Sequence, residues 1–125
     1  MTQIDSLGQF EQLVLSAIVA LGDKAYAVTI HEKVEDLAQP KSVSSGAVYI
    51  TLDRLEDKGL VRSWLADPTP ERGGRRKRYY QLQAAGERAL EESLKAALRM
   101  VDVVQEFWGG IQVPGRKKWK PIRQS

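Results

Sequence analysis

Apolar residues recur along this chain at two different periods, and the periods divide it into elements. Leu7, Phe10, Leu13, Val14, Ala17, Ile18 and Leu21 follow steps of three and four, which predicts an amphipathic helix over Asp5 to Leu21. Ser6 with Gln9 three residues on resembles a capping box, and Gly22 ends the segment. Ala27, Ile30, Val34 and Leu37 give a second stripe, over Ala25 to Ala38, stopped by Pro40. Tyr26 stands before this stripe and packs at the helix start. A third helix spans Ser44 to Lys58, with Val48, Leu52 and Leu55 on its stripe and Ala47 widening it. Ser44 or Ser45 can cap its N-terminus, and Gly59 suits the left-handed position past its end.

The period then changes. Leu60 to Asp67 reads as a half-buried strand carrying Val61, Trp64 and Leu65. Arg76 to Leu82 reads as the returning strand, marked by Tyr79, Tyr80 and Leu82. Pro68, Pro70, Gly73 and Gly74 punctuate the connection. A long helix follows, from Ala84 to Trp108, which would span roughly 35–40 Å at 1.5 Å per residue. Leu90, Leu94, Leu98, Val101 and Trp108 form one stripe on it; Ala89, Ala96, Val103 and Phe107 form another. Two apolar faces on one helix are more than a small domain covers, so a second subunit is the natural partner. Gly109 and Gly110 end it.

Two helices joined by a short turn, then a ribbon with a basic loop, are the parts of a winged helix-turn-helix. The expected fold is therefore mainly α with a two-stranded β wing and a long C-terminal dimerisation helix. Three segments follow: 1–82 as the DNA-binding domain, 83–110 as the dimerisation helix, and 111–125 as a basic tail. The third helix is the recognition helix. Its N-terminal Ser44, Ser45, Gly46 and Tyr49 are placed to meet DNA, and Lys41 and Ser42 in the preceding turn face the backbone. Tyr49 admits a core reading too, although Val48 and Leu52 already fill the stripe. Asp53, Glu56 and Asp57 lie further along, where repulsion from phosphate hurts less.

Charge sharpens this picture. The net charge of the 125-residue chain is only +3. Residues 1–60, however, carry nine acids and five bases, whereas residues 61–125 carry seven acids and fourteen bases. The excess sits in Arg72 to Arg78, RGGRRKR, and in the C-terminal GRKKWKPIRQS. A charge run is ordinarily a solvated face. Here Arg72, Arg75, Arg76, Lys77 and Arg78 adjoin glycines that let a backbone approach a surface, and arginine forks match phosphate. Double-stranded DNA is the expected partner. The tail admits two readings, a solubilising segment or an arm that grips DNA.

Other chemistry has little to be built from. There is no cysteine and a single histidine, His31, so neither a thiolate nor a histidine cluster exists for metal or nucleophile chemistry. His31 reads as solvated or packed. Arg72 to Arg75 lacks the Lys-Ser/Thr ending of a phosphate loop. No catalytic residue, metal or cofactor is expected. No apolar run approaches the roughly 20 residues that span a bilayer, and the N-terminus lacks the basic region of a signal peptide. A cytoplasmic protein is the expectation.

Gly46, Tyr49, Leu52, Leu55, Glu56, Gly59, Leu60 and Val61, then Trp64, Arg76 to Arg78, Tyr79, Tyr80, Leu82 and Gly86, resemble the PadR family of bacterial transcriptional regulators. The spacing agrees over about forty residues; it weakens after Gly86 and is poor beyond Gly109. Many members have proline after the recognition-helix tyrosine, where this chain has Ile50. The resemblance implies a homodimer on a pseudo-palindromic operator, a repressor, and contact of the first helix with the partner's C-terminal helix. The stripes of the long helix supply the expected dimer seam, Leu90, Leu94, Leu98, Val101, Phe107 and Trp108. Two rivals stand beside it. One is a winged-helix module that binds protein, favoured by the acids from Asp53 to Asp57 and opposed by the basic wing. The other is a sensor in which Phe107 and Trp108 wall a pocket for a small aromatic effector.

Overall fold

The computed structural model describes residues 7–67 and 76–108. In chain order its elements are α1 (Gln9–Leu21), a single 3-10 turn (Gly22–Lys24), α2 (Ala27–Ala38), α3 (Ser45–Asp57), β1 (Val61–Leu65), β2 (Arg78–Leu82) and α4 (Ala84–Trp108). It is a mainly helical fold with a two-stranded antiparallel sheet, in which Val61 faces Leu82 and Leu65 faces Arg78. The chain divides into two units, Met1–Leu90 and Glu91–Ser125.

The core of the first unit is built where the sequence periods converge. Val14, Leu15 and Ile18 of α1, Ile30 and Val34 of α2, and Val48, Leu52 and Leu55 of α3 are buried together with Val61, Tyr80 and Leu90. Each fully buried Leu, Ile or Val stabilises by about 1.5–3 kcal/mol relative to exposure. Burial in an apolar setting also pushes the Tyr80 phenol above its ordinary value. Leu37 departs from the expected stripe and is exposed. It lies in the last turn of α2, at the rim of a cleft shared with Phe10 and Leu13 of α1.

Helix ends are set by side chains. Ser44 caps α3, its Oγ accepting from the Ala47 N–H at 3.1 Å. At the other end Gly59 has φ 76°, and the Leu60 N–H reaches back to the Leu55 carbonyl at 2.9 Å, closing the helix as the sequence implies. Two starts differ from expectation. Gly8, not Ser6, is the N-cap of α1, and Glu11, not Gln9, supplies the side-chain oxygen that accepts the Gly8 N–H at 3.0 Å. Helix α2 begins at Ala27, two residues late. Ala25 and Tyr26 are extended: the Ala25 carbonyl accepts the Tyr80 N–H at 2.9 Å, and Tyr26 bridges Tyr79. Thr29 then caps the delayed helix, its Oγ1 accepting the Tyr26 N–H at 3.0 Å.

Glu11 is the buried acid of the core, 7% exposed. Its Oε2 accepts from Lys58 Nζ at 2.9 Å, tying α1 to the end of α3. Burial acts to raise its pKa and is the largest influence. The Lys58 ammonium, the Gly8 N–H and the nearby Arg54 together outweigh it and hold the carboxyl below its ordinary value. A carboxyl depressed on folding adds stability above its unfolded pKa, about 4.3. That stability disappears as pH falls through the lower folded value. Glu11→Gln keeps the shape and removes the charge, so it should cost about 1–3 kcal/mol near neutrality. The gap to wild type should close on acidification through that window. Urea unfolding followed across pH measures it; a gap that does not change with pH would mean that shape, not charge, holds this corner.

Candidate nucleic-acid interface

The turn before α3 is fixed by α2. Val43 is held at both backbone groups: its carbonyl lies 2.6 Å from His31 Nε2, and its N–H donates to Glu35 Oε2 at 3.3 Å. A carbonyl only accepts, so Nε2 carries the proton there. The solvated reading of His31 thus gives way to a structural one. The preceding Lys41 and Ser42 are exposed, with the Lys41 N–H on the Ala38 carbonyl at 3.0 Å.

Helix α3 shows solvent an uncharged N-terminal half. Ser44, Ser45 and Gly46 are exposed, Tyr49 is 51% exposed and Ile50 61%. This settles the core alternative for Tyr49: its ring is not packed inside. A Cβ on Gly46 would meet nothing within 4 Å among the described residues, so none of them requires glycine there. Unpaired backbone N–H groups and the positive end of the helix dipole favour phosphate at this end. Asp53, Glu56 and Asp57 occupy the later turns. Glu56 is engaged within the fold, its Oε2 accepting from Ser63 Oγ at 2.8 Å. Ile50, singled out in the sequence only as the residue in proline's place, lies exposed beside Tyr49.

The wing is braced by rings and cations. Trp64 stacks on Tyr79 with centroids 6.1 Å apart and 20° between planes, and Tyr79 meets Tyr26 edge-on at 5.3 Å. Lys77 Nζ lies 3.8 Å over the Tyr26 ring, and the Arg62 guanidinium 4.6 Å over Trp64. Such contacts contribute about 0.5–1 kcal/mol each when exposed. Arg62 also donates to Gln81 Oε1 at 2.7 Å. Of the basic residues, Arg76 and Arg78 are exposed and Lys77 half-buried. Arg78 donates to Ser63 Oγ at 3.0 Å, which links β2 through Ser63 to Glu56 of α3. Arg72 and Arg75 lie outside the described residues, as does the tail from 109 onward.

On α4, Leu90 is buried in the first unit's own core. It is therefore not available to a seam between subunits, a correction to its expected place. Within the second unit Leu94 is exposed, Leu98 and Val101 are half-buried, and Phe107 and Trp108 are each 80% exposed.

The model of the PadR-like family of transcriptional regulators matches residues 14–92, from within α1 through the wing into α4. The chain belongs to this family. A solved PadR family transcription regulator from Clostridium difficile is 27% identical, with a TM-score of 0.65 over 82% of this chain and 100% of that one. A PadR-like transcription factor from Bacteroides fragilis is 24% identical, with a TM-score of 0.61 over 79% and 92%. BpsR from Bordetella bronchiseptica, described as regulated in DNA binding by 6-hydroxynicotinic acid, is 20% identical with a TM-score of 0.61 over 89% and 72%. Among curated protein sequences none matches. As a PadR-like protein this chain is a DNA-binding transcriptional regulator and not an enzyme. Among its described residues no helix is long and apolar enough to cross a membrane.

Proposed function

We propose that this PadR-like regulator is a repressor that binds, as a homodimer, a pseudo-palindromic operator in bacterial DNA. The observation that carries this reading is the pairing of two surfaces. One is the exposed, uncharged, capped first half of α3; the other is the wing strand that brings Arg76, Lys77 and Arg78. Ser45, Gly46 and Tyr49 meet base edges and phosphates at the groove. Lys41 and the wing cations, Arg72 and Arg75 included, neutralise the flanking backbone, and the Ser42 hydroxyl donates to it. Leu94, Leu98, Val101, Phe107 and Trp108 supply the seam to a second copy, and half-sites fall about 10 bp apart. Repression follows from occupancy, since a dimer across two grooves excludes polymerase from the same DNA.

Salt dependence tests the wing. Log affinity should fall linearly with log salt, by about 0.9 for each phosphate neutralised. The double change Arg76→Ala and Arg78→Ala should weaken binding to every sequence and flatten that slope by roughly one to two. An unchanged slope would remove the wing from the interface. Tyr49→Ala should instead change operator preference and leave the slope nearly as it was.

A second reading is supported by the two exposed aromatic side chains that end α4. Phe107 and Trp108 offer flat apolar surface of the kind that accepts small planar molecules. BpsR, of related fold, is itself described as responding to such a molecule. An effector would act on this chain only through different affinities for two arrangements of the dimer.

A further inference from the structure

The exposed face of α3 has an order that the roles above do not use. Val48, Thr51, Leu52 and Leu55 are buried and define the inward side of the helix. Gly46, Ile50, Asp53 and Asp57 recur at steps of four, three and four, and all are exposed, so they mark the outward line. Along that line charge is confined to one end. Gly46 has no side chain and nothing of the protein near it, Ile50 is aliphatic, and the acids begin only at Asp53. A helical side chain leans toward the N-terminus, over the turn before its own Cα. Ile50 therefore covers the space that Gly46 leaves open, at the end of the helix that faces base edges.

Its chemistry narrows what it can meet. Ile50 is among the most exposed large apolar side chains of the first unit, at 61%. It has no donor or acceptor, so it gains nothing from phosphate oxygens or from the polar edges of guanine, adenine or cytosine. The one apolar group that a base pair shows in the major groove is the 5-methyl of thymine. We infer that Ile50 reads thymine in the operator, packing its branched side chain against that methyl group. The inference rests on α3 being the helix that enters the groove, and it adds a residue that specifies sequence without hydrogen bonding. Gly46 leaves the room that this approach needs, and the neighbouring Tyr49 hydroxyl is free to position the helix on the backbone or on a base edge.

The test removes the methyl from either side. An operator is first obtained by selecting random-sequence duplexes with the full-length wild-type protein. Each thymine is then replaced by deoxyuridine, symmetrically in every half-site. One thymine position should stand out, where loss of the methyl groups lowers wild-type affinity roughly tenfold, the equivalent of about one buried methyl per half-site. Ile50→Ala should melt at the wild-type temperature, because the side chain is exposed, and should bind the thymine and uracil duplexes equally. Two results overturn the inference alone: uracil tolerated at every position, or Ile50→Ala still preferring thymine as strongly as the wild type. If selection enriches no sequence at all, the placing of α3 in the groove fails, and the inference fails with it.

Discussion

Gly86→Ala should destabilise the protein by roughly 2–4 kcal/mol, at or above the usual range for overpacking. A Cβ at this position would stand 2.1 Å from the Leu60 carbonyl oxygen and 3.0 Å from its carbon. Those atoms are backbone and cannot rotate away. The same oxygen accepts the Gln83 N–H at 2.8 Å, so α4 cannot retreat without losing a bond at its own start. The direction is diagnostic, because alanine elsewhere in a helix is better than glycine by about 1 kcal/mol. Gly46→Ala is the matching control on α3. With nothing within 4 Å of the new methyl, it should raise stability by about 0.5–1 kcal/mol. If DNA takes that space, as proposed, operator affinity should fall in the same variant. Thermal unfolding and binding of both variants measure the pair of signs. Destabilisation by Gly46→Ala, or none by Gly86→Ala, would overturn the account of the space around that glycine.

The other large effect concerns assembly. Leu98→Asp places a carboxylate on the α4 stripe between Leu94 and Val101. If that stripe is the proposed seam, an unpaired charge there costs several kcal/mol. The variant should sediment as a monomer at micromolar concentration while its helical circular dichroism persists. Operator affinity should drop by roughly a hundredfold or more, because each half-site is then bound without the other. Leu98→Met, of similar volume, should remain dimeric. A wild-type protein that sediments as a monomer under these conditions would end the dimer proposal.

The helices were legible because their signals are local. Steps of three and four set α4 at Ala84–Trp108 as expected, and Ser44 and Gly59 marked the ends of α3. The strands are shorter than read: Leu60, Ala66 and Asp67 lie outside β1 and Arg76 and Lys77 outside β2, although single backbone bonds, Gln83 to Leu60 and Ala66 to Lys77, still cross beyond each end. What escaped was long-range. Ala25 and Tyr26 satisfy a helical pattern, yet their partners are Tyr80 and Tyr79, over fifty residues on. Glu11 falls at helical spacing with Leu7, Val14 and Ile18, and only the fold shows that Lys58, far along the chain, satisfies an acid placed there. Leu90 fits a dimer stripe by spacing, but the core claims it first. At the interface, type and position marked Ser45, Gly46 and Tyr49 as candidates. They mark Ile50 only as the residue in proline's place, because its outward bearing shows once the inward side of the helix is known.

Both ends of α3 are anchored, one through Val43 to His31 and Glu35 of α2, the other through Lys58 to Glu11 of α1. Mechanically α3 is a beam held at two supports, and the supports belong to different helices. It keeps its bearing only while α1 and α2 keep theirs.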